Sequence, residues 1–216
     1  EPLMMKEHYN LLNALIERGR TDVRLNYNTN FTELVFKQQD VLELWNQFDV
    51  VSIGASLDAN HARGELMRKG TDWNQVVENR QRMLEVCPTV DFYISATLSV
   101  MNAYNILDFH KEWVELGLIS AEDFNVNILQ DPDRFRLDIL PADMKAELEQ
   151  LYNEHIAWIA TEGDYLTRAT NGFRSAVTFM NATDNSDLIP EFVIRNDEMD
   201  GFRNESFWKV FPELER

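Results

Sequence analysis

Four stretches of the chain carry the apolar, β-branched or alternating pattern of strands in a buried sheet. They span residues 21–30, 49–58, 90–99 and 124–129, and the second (DVVSIGASLD) is almost entirely apolar or small. Successive strands start 28 to 41 residues apart, which is the length of a βα unit with its return helix. The pattern therefore predicts a parallel sheet with right-handed crossovers.

Helical periodicity fills the segments between these strands. Apolar residues at helical spacing predict helices over 2–18, 41–48 and 106–116. Asp72 is a suitable N-cap for a further helix, and Pro141 fits the first turn of a long one. The alternation predicts an α/β fold of about four parallel strands with helices outside.

The alternation of predicted strands and helices ends after residue 162. Beyond it, 181–187 is predicted to be a polar loop, 191–197 (EFVIRND) a strand and 206–214 (SFWKVFPEL) a short aromatic-rich helix. We therefore expect two units, which are a sheet unit over 1–162 and a small C-terminal extension over 163–216.

The formal net charge of −17 at pH 7 narrows the range of partners. A field of that sign repels phosphate backbones and anionic lipid, so we expect neither nucleic acid nor a membrane surface as partner. No apolar run approaches the length of a membrane span, and no signal-peptide pattern is visible. This composition is typical of an acidic, soluble, cytoplasmic protein.

Metal and phosphate sites have little support in the sequence. Cys87 is the only cysteine, so it has no partner for an internal disulfide and cannot alone supply a thiolate cluster site. The four histidines, His8, His61, His110 and His155, lie far apart and lack the spacing of a zinc site. No glycine-rich phosphate loop is present, because SIGAS lies inside a predicted strand.

Polar side chains follow each predicted strand, and in parallel α/β sheets this carboxyl edge is where ligands bind. They are Asn26 to Asn30, Ser56 to Asn60, Ser99 with Asn102 and Asn105, and Gln130 to Asp133, with Arg63 and Arg68 nearby. Ser56 and Asp58 could bind ribose hydroxyls, and Arg68 could bind a carboxylate through two parallel hydrogen bonds. The competing interpretation of each residue taken singly is that Asn and Asp simply favour turns.

Several stretches together resemble the later part of the radical SAM enzymes. They are LNYNTNFTEL, LWNQFDVVSIGASLDA, GELMRKGTDWNQVVENRQRML, SATLSVMNAYNILDFHKEW and ILPADMKAEL, and the tail FRNESFWKVFPELER resembles the ending of a subgroup with a small C-terminal extension. The resemblance covers residues 1 to about 150 and implies a partial (β/α) barrel. Family members carry a Gly-Gly-Glu-Pro segment after their second barrel strand, and EPLM resembles its second half.

By this resemblance the chain is a fragment that lacks the first strand, the first helix and the second strand of the barrel. It would then also lack the three-cysteine loop that holds the [4Fe–4S] cluster, and Cys87 does not match that loop. We therefore expect no cofactor to be held by this chain alone and no reductive cleavage of S-adenosylmethionine (SAM). The parent enzyme is expected to use both SAM and the cluster.

The resemblance also implies that seven residues surround SAM. They are Glu1 at the methionine amino group, Asn28 and Asn30 facing the pocket, Ser56 and Asp58 near the ribose, Arg68 near the methionine carboxylate, and Asn102 near the adenosine.

A sheet that begins with the 21–30 strand would expose the edge of that strand, and exposed edges invite pairing. We therefore expect a homo-oligomer that covers this edge.

Two other functions stay open. One is a cluster-free α/β binding or scaffold protein, and the other is an unrelated α/β enzyme such as a hydrolase, for which no nucleophile–base pair can be named.

Overall fold

A parallel four-stranded sheet forms the centre of the fold in a computed structural model that describes residues 1–163 and 165–215. Its strands lie in the order β1 (Leu25–Thr29), β4 (Val51–Ala55), β5 (Asp91–Leu98) and β6 (Phe124–Ile128). These strands confirm the four expected from the sequence. A small antiparallel hairpin of β2 (Val35–Phe36) and β3 (Gln39–Asp40) follows β1, and its strands are too short to leave a pattern in the sequence.

Helices precede, connect and follow the strands of the sheet. They are α1 (Lys6–Glu17), α2 (Val41–Trp45), α3 (His61–Met67), α4 (Trp73–Val86), α5 (Asn105–Glu115) and α6 (Ala142–Glu162). The Asp72 carboxylate accepts a 3.2 Å hydrogen bond from the Gln75 amide, which confirms the predicted cap of α4. Pro141 directly precedes α6, where the missing N–H of proline leaves no helical hydrogen bond unmade.

Three more α-helices lie within the described range 165–215, namely α7 (Arg168–Ala182), α8 (Ile189–Arg203) and α9 (Phe207–Val210). The strand predicted over 191–197 is wrong, because these residues lie inside α8. Phe192 and Asn196 are buried one turn apart on that helix, and Pro190 stands in its first turn. The apolar run of EFVIRND is too short for its period to separate a strand from a helix. The aromatic helix predicted in the tail is confirmed by α9.

The expected boundary between 1–162 and 163–216 coincides with the end of α6. Asp164 and Arg216 lie outside the described residues. Apolar side chains of α7, α8 and α9 belong to the same hydrophobic cluster as those of the strands. The division into two units stays a prediction.

The two faces of the sheet differ in chemistry. On one face Ile53, Ile94 and Phe124 are fully buried. The register of the strands places polar side chains together on the opposite face, namely Asn26, Asn28, Ser52, Tyr93, Ser95, Asn125 and Asn127. Parallel sheets normally pack apolar side chains on both faces. The polar face, of which Asn26 and Asn28 are exposed, is therefore open to water or to a ligand.

Hydrogen bonds and close approaches order the polar face. The Ser52 hydroxyl donates to Asp91 at 2.7 Å across β4 and β5, and Asn127 donates to the Ser95 hydroxyl at 3.1 Å across β6 and β5. A methyl group at Gly54 would lie 2.8 Å from Asn28 Oδ1 and 3.0 Å from the Tyr93 ring. Glycine at this position thus lets both side chains close over β4.

The two edges of the sheet differ in whether another element covers them. Helix α7 covers the outer edge of β6, where a Cβ added to Gly172 would lie 2.7 Å from Val126 Cβ. Phe173 beside it stacks parallel to Phe124 with ring centroids 6.5 Å apart. On the other side, β1 pairs within the described residues with β4 alone. One edge is therefore closed and the other is open.

Among the helices of the described ranges, none combines the length and the apolar character that a membrane crossing requires.

Candidate functional site

The carboxyl ends of three strands converge at one edge of the sheet. The Ser56 amide donates a 2.7 Å hydrogen bond to the Thr29 carbonyl, which joins the ends of β1 and β4. The Thr97 amide donates a 2.7 Å bond to Asp58 Oδ1, which joins β5 to the loop after β4. We call this edge the rim. It carries the seven residues expected from the sequence: Glu1, Asn28, Asn30, Ser56, Asp58, Arg68 and Asn102.

The Glu1 carboxylate lies at the end of β1 and bridges several donors. Its Oε1 accepts a 2.8 Å bond from the Thr29 hydroxyl and a 3.3 Å bond from the Leu3 amide. Its Oε2 accepts a 3.0 Å bond from the Asn30 amide. The carboxylate is exposed, and ionised oxygens can accept more than one hydrogen bond each. Glu1 can therefore still receive a donor from a ligand.

Asp58 and Arg68 form a bidentate ion pair at the rim. Arg68 Nε donates to Asp58 Oδ2 at 2.7 Å, and Arg68 Nη2 donates to Asp58 Oδ1 at 3.2 Å. The Asp58 side chain is 10% exposed and the Arg68 side chain 31% exposed. The carboxylate is thus largely enclosed, while the cation keeps one side toward solvent.

Asn102 is fully buried, and all its hydrogen bonds go to the protein. Its Nδ2 donates to the Asp58 carbonyl at 2.6 Å and to the Thr97 carbonyl at 3.0 Å. Its Oδ1 accepts a 2.8 Å bond from the Ser99 amide. Asn102 therefore fixes the end of β5 against the loop that carries Asp58, and its amide is not directed at a ligand.

Asn28 and Ser56 are the rim residues whose polar groups are free to meet a ligand. Asn28 is exposed and Ser56 is half-buried, and neither side chain makes a hydrogen bond within the described residues. Asn30 differs, because its Oδ1 accepts bonds from the Thr32 amide at 3.4 Å and from the Thr32 hydroxyl at 3.1 Å. The seven residues thus divide into those that hold the rim together and those that can bind.

A cavity of about 210 Å³ opens beside the rim at the ends of β5 and β6. Its lining combines three polar residues with four apolar ones, namely Asp58, Thr97, Ser99, Met67, Met101, Leu129 and Phe135. Asp58 and Ser99 follow predicted strands and were expected at this edge, whereas the apolar wall was not. Met67 at the end of α3 carries no signal of its own, and Phe135 is separated from β6 by a turn.

Cys87 lies at the C-terminal end of α4, is buried and is free. Burial raises the pKa of its thiol to about 11, an effect larger than the opposing influence of Arg80 and Arg82. The thiol is therefore protonated at neutral pH, which suits a core residue and not a metal ligand.

The structure brings together two histidines that are 45 residues apart in sequence. His110 Nδ1 and His155 Nε2 are 3.0 Å apart, and His110 Nε2 lies 3.0 Å from the Ala121 carbonyl. The second bond requires a proton on His110 Nε2, so that His110 Nδ1 accepts from His155. Within 1–163 and 165–215, no group of three or more His, Cys, Asp or Glu side chains is placed to hold a metal.

The chain matches no protein-family model, no curated protein and no solved structure.

Proposed function

We propose that the rim binds SAM and that the sheet forms part of a (β/α) barrel of the radical SAM type. The observation that carries the proposal is the convergence of seven expected residues at the carboxyl ends of β1, β4 and β5, beside an open polar face. In parallel α/β folds this edge is the usual place for a ligand. Turn propensity accounts for Asn and Asp after a strand, but it does not account for Arg68, which reaches back ten residues to Asp58.

In this proposal Asp58 acts through Arg68. Its two oxygens hold Nε and Nη2 of the guanidinium, which leaves Nη1 to donate to a carboxylate of the ligand. The partial exposure of Arg68 supports that role. Asp58 then orients the cation, in place of the ribose contact that the resemblance implies.

Direct contacts with the ligand are made by side chains that can still form hydrogen bonds. The Asn28 carboxamide and the Ser56 hydroxyl can bond to hydroxyl or amino groups of the ligand, and the exposed Glu1 carboxylate can accept from its ammonium group. Asn102 supports this arrangement by fixing the loop after β4 that carries Ser56, and the Asn30 backbone amide holds the Glu1 carboxylate.

The residues of this chain do not fit a [4Fe–4S] cluster. Such clusters are held by several cysteine thiolates, whereas the chain has one cysteine, which is buried and has a raised pKa. The proposal is therefore limited to binding, and the chain taken alone is proposed to be catalytically inactive.

A second candidate is a cluster-free α/β binding or scaffold protein. It is favoured by the core-like environment of Cys87 and by the extent to which Asp58, Arg68 and Asn102 satisfy one another. The two candidates differ in whether SAM binds to the rim.

We also propose that β1 pairs with the same strand of a second copy. The Leu25 amide donates to the Val50 carbonyl at 3.0 Å, so by strand alternation the Asn26 amide points to the open edge. An unpaired row of amides and carbonyls is a template for another strand.

Calorimetric titration of SAM into the purified chain tests the function. Asn28→Ala and Asn26→Ala form a matched pair, because both residues are exposed on the same face of β1 but only Asn28 belongs to the rim. We expect saturable binding that is weakened about tenfold by Asn28→Ala, the effect of one lost hydrogen bond, and left unchanged by Asn26→Ala.

A third variant, Arg68→Lys, keeps the charge but removes the planar fork of donors, and it should also weaken binding. Failure of the folded chain to bind SAM would refute the proposal and favour the scaffold candidate. Equal losses in both asparagine variants would place the ligand away from the rim.

A further inference from the structure

A second cavity, of about 320 Å³, lies between the start of α6, helix α8 and the tail of the chain. Its walls come from four separate segments, including the residue Val100 after β5. They are mostly apolar, and the lining residues are Val100, Ile139, Leu140, Pro141, Met144, Ile189, Phe192, Val193, Trp208, Leu214 and Glu215. It shares no lining residue with the smaller cavity at the rim. We call it the tail cavity.

Several wall residues of the tail cavity are buried in packed elements of the fold. Ile139, Leu140 and Met144 are buried at the start of α6, and Phe192 is buried on α8. The Phe192 ring meets Trp208 edge to face, with centroids 6.2 Å apart. The opening therefore lies between packed elements and is formed before any ligand arrives.

The lining of the tail cavity offers water few hydrogen-bond partners. Trp208 Nε1 already donates to Asp197 at 2.9 Å, and Glu215 is the one charged residue among the described residues of the wall. Water in a cavity needs two to four polar partners, and apart from Glu215 the lining side chains are apolar or, like Trp208, already hydrogen-bonded. Small-molecule sites of about 300–1,000 Å³ are lined in this way by apolar and aromatic side chains with few polar groups.

The negative charge of the chain indicates which head group an apolar ligand of this cavity would carry. A net charge of −17 disfavours an anionic head group, and the exposed Glu215 carboxylate stands at the cavity wall, where it would repel an anion and attract a cation. A fatty carboxylate is therefore a poor fit, and an amine on an apolar body is a good one.

We propose that the tail cavity binds a small molecule with an aliphatic or aromatic body and a neutral or cationic head, with the head beside Glu215. This site is distinct from the SAM site proposed at the rim, since the two cavities share no lining residue.

The test uses the neutral dye N-phenyl-1-naphthylamine with the full chain, and then displaces it with decylamine, decanol or decanoate. We expect saturable dye fluorescence, displacement by decylamine and decanol, and displacement by decanoate that is about tenfold weaker or more. Trp208→Phe should lower the energy transfer from tryptophan to the dye, because Trp208 lines the tail cavity. Glu215→Gln should reduce the difference between decylamine and decanoate in displacing the dye.

Val193→Phe and Ile194→Phe supply the matched variants. Val193 lines the cavity, whereas its neighbour Ile194 is exposed to solvent on the same helix. Val193→Phe should weaken dye binding about tenfold, and Ile194→Phe should leave it unchanged. Absence of saturable binding, equal effects of the two variants, or stronger displacement by decanoate than by decylamine would each overturn the proposal. None of these outcomes depends on whether SAM binds.

Discussion

Acidification should destabilise this protein through His155. Its side chain is 1% exposed and lies against the Phe173 and Trp158 rings, with centroids 4.7 Å and 4.9 Å away. Its Nε2 donates to His110, and its Nδ1 has no hydrogen-bond partner among the described residues. Protonation would place a charge in this apolar cluster beside a second imidazole. Burial, followed by the proximity of His110 and Lys111, lowers the pKa of His155 to about 2.

The sign and size of the effect follow from linkage. In the unfolded chain His155 has an ordinary pKa near 6.5. Below that pH the unfolded state therefore binds a proton at His155 that the folded state does not bind. Stability conferred by the neutral imidazole is therefore fully present above pH 6.5 and falls as the pH falls. At pH 5 the pH lies about 1.5 units below the unfolded pKa, which lowers the free energy of unfolding by about 2 kcal/mol relative to pH 7.5.

Urea unfolding at pH 7.5 and pH 5 measures this loss, and His155→Gln separates it from the titration of other groups. Carboxylates titrate alike in both proteins, so the wild type should lose about 2 kcal/mol more than His155→Gln. His61→Gln is the control, because His61 is exposed and its removal should leave most of the loss in place. Equal losses in the wild type and His155→Gln would refute the reasoning. If His155→Gln does not fold, NMR titration of the wild-type imidazole decides, since a ring that titrates near pH 6 contradicts it.

Two further predictions concern the edges of the sheet. Gly172→Ala should destabilise the fold by about 1–3 kcal/mol through overpacking against Val126, whereas Gly201→Ala, which meets no atom within 4 Å, should be neutral or stabilising; thermal unfolding of the two variants compares them. Asn26→Pro should remove an outward amide of β1 and shift the chain from dimer to monomer in light scattering. A wild-type chain that is monomeric at high concentration would contradict strand pairing at this edge.

The strands could be predicted because buried strands leave a local signal. Each of the four contains a short run of apolar or alternating residues bounded by polar ones, and this pattern depends little on the rest of the fold. The strand wrongly predicted over 191–197 shows where the signal fails. A three-residue apolar run is compatible with either period, and the buried pair Phe192 and Asn196 becomes visible only when α8 packs.

The site could be predicted in position but not in detail. Residues after parallel strands must meet at one edge, which is why Asp58 and Ser56 could be placed there. Whether a side chain faces a ligand or the protein depends on contacts between distant segments. Asn102 is an example, because its burial follows from hydrogen bonds to a loop 44 residues earlier. The pairing of His110 with His155 likewise has no trace in local sequence.

Because one edge of the sheet is covered and the other is not, a further strand can be added at one edge only. Helix α7 blocks addition beyond β6, since Gly172 already lies against that strand. Any fifth strand, from another segment or another chain, can therefore join only beside β1. If it runs parallel, the residues that follow it will arrive next to Glu1 and Asn28, so that whatever supplies the strand also supplies the next group of side chains to the ligand.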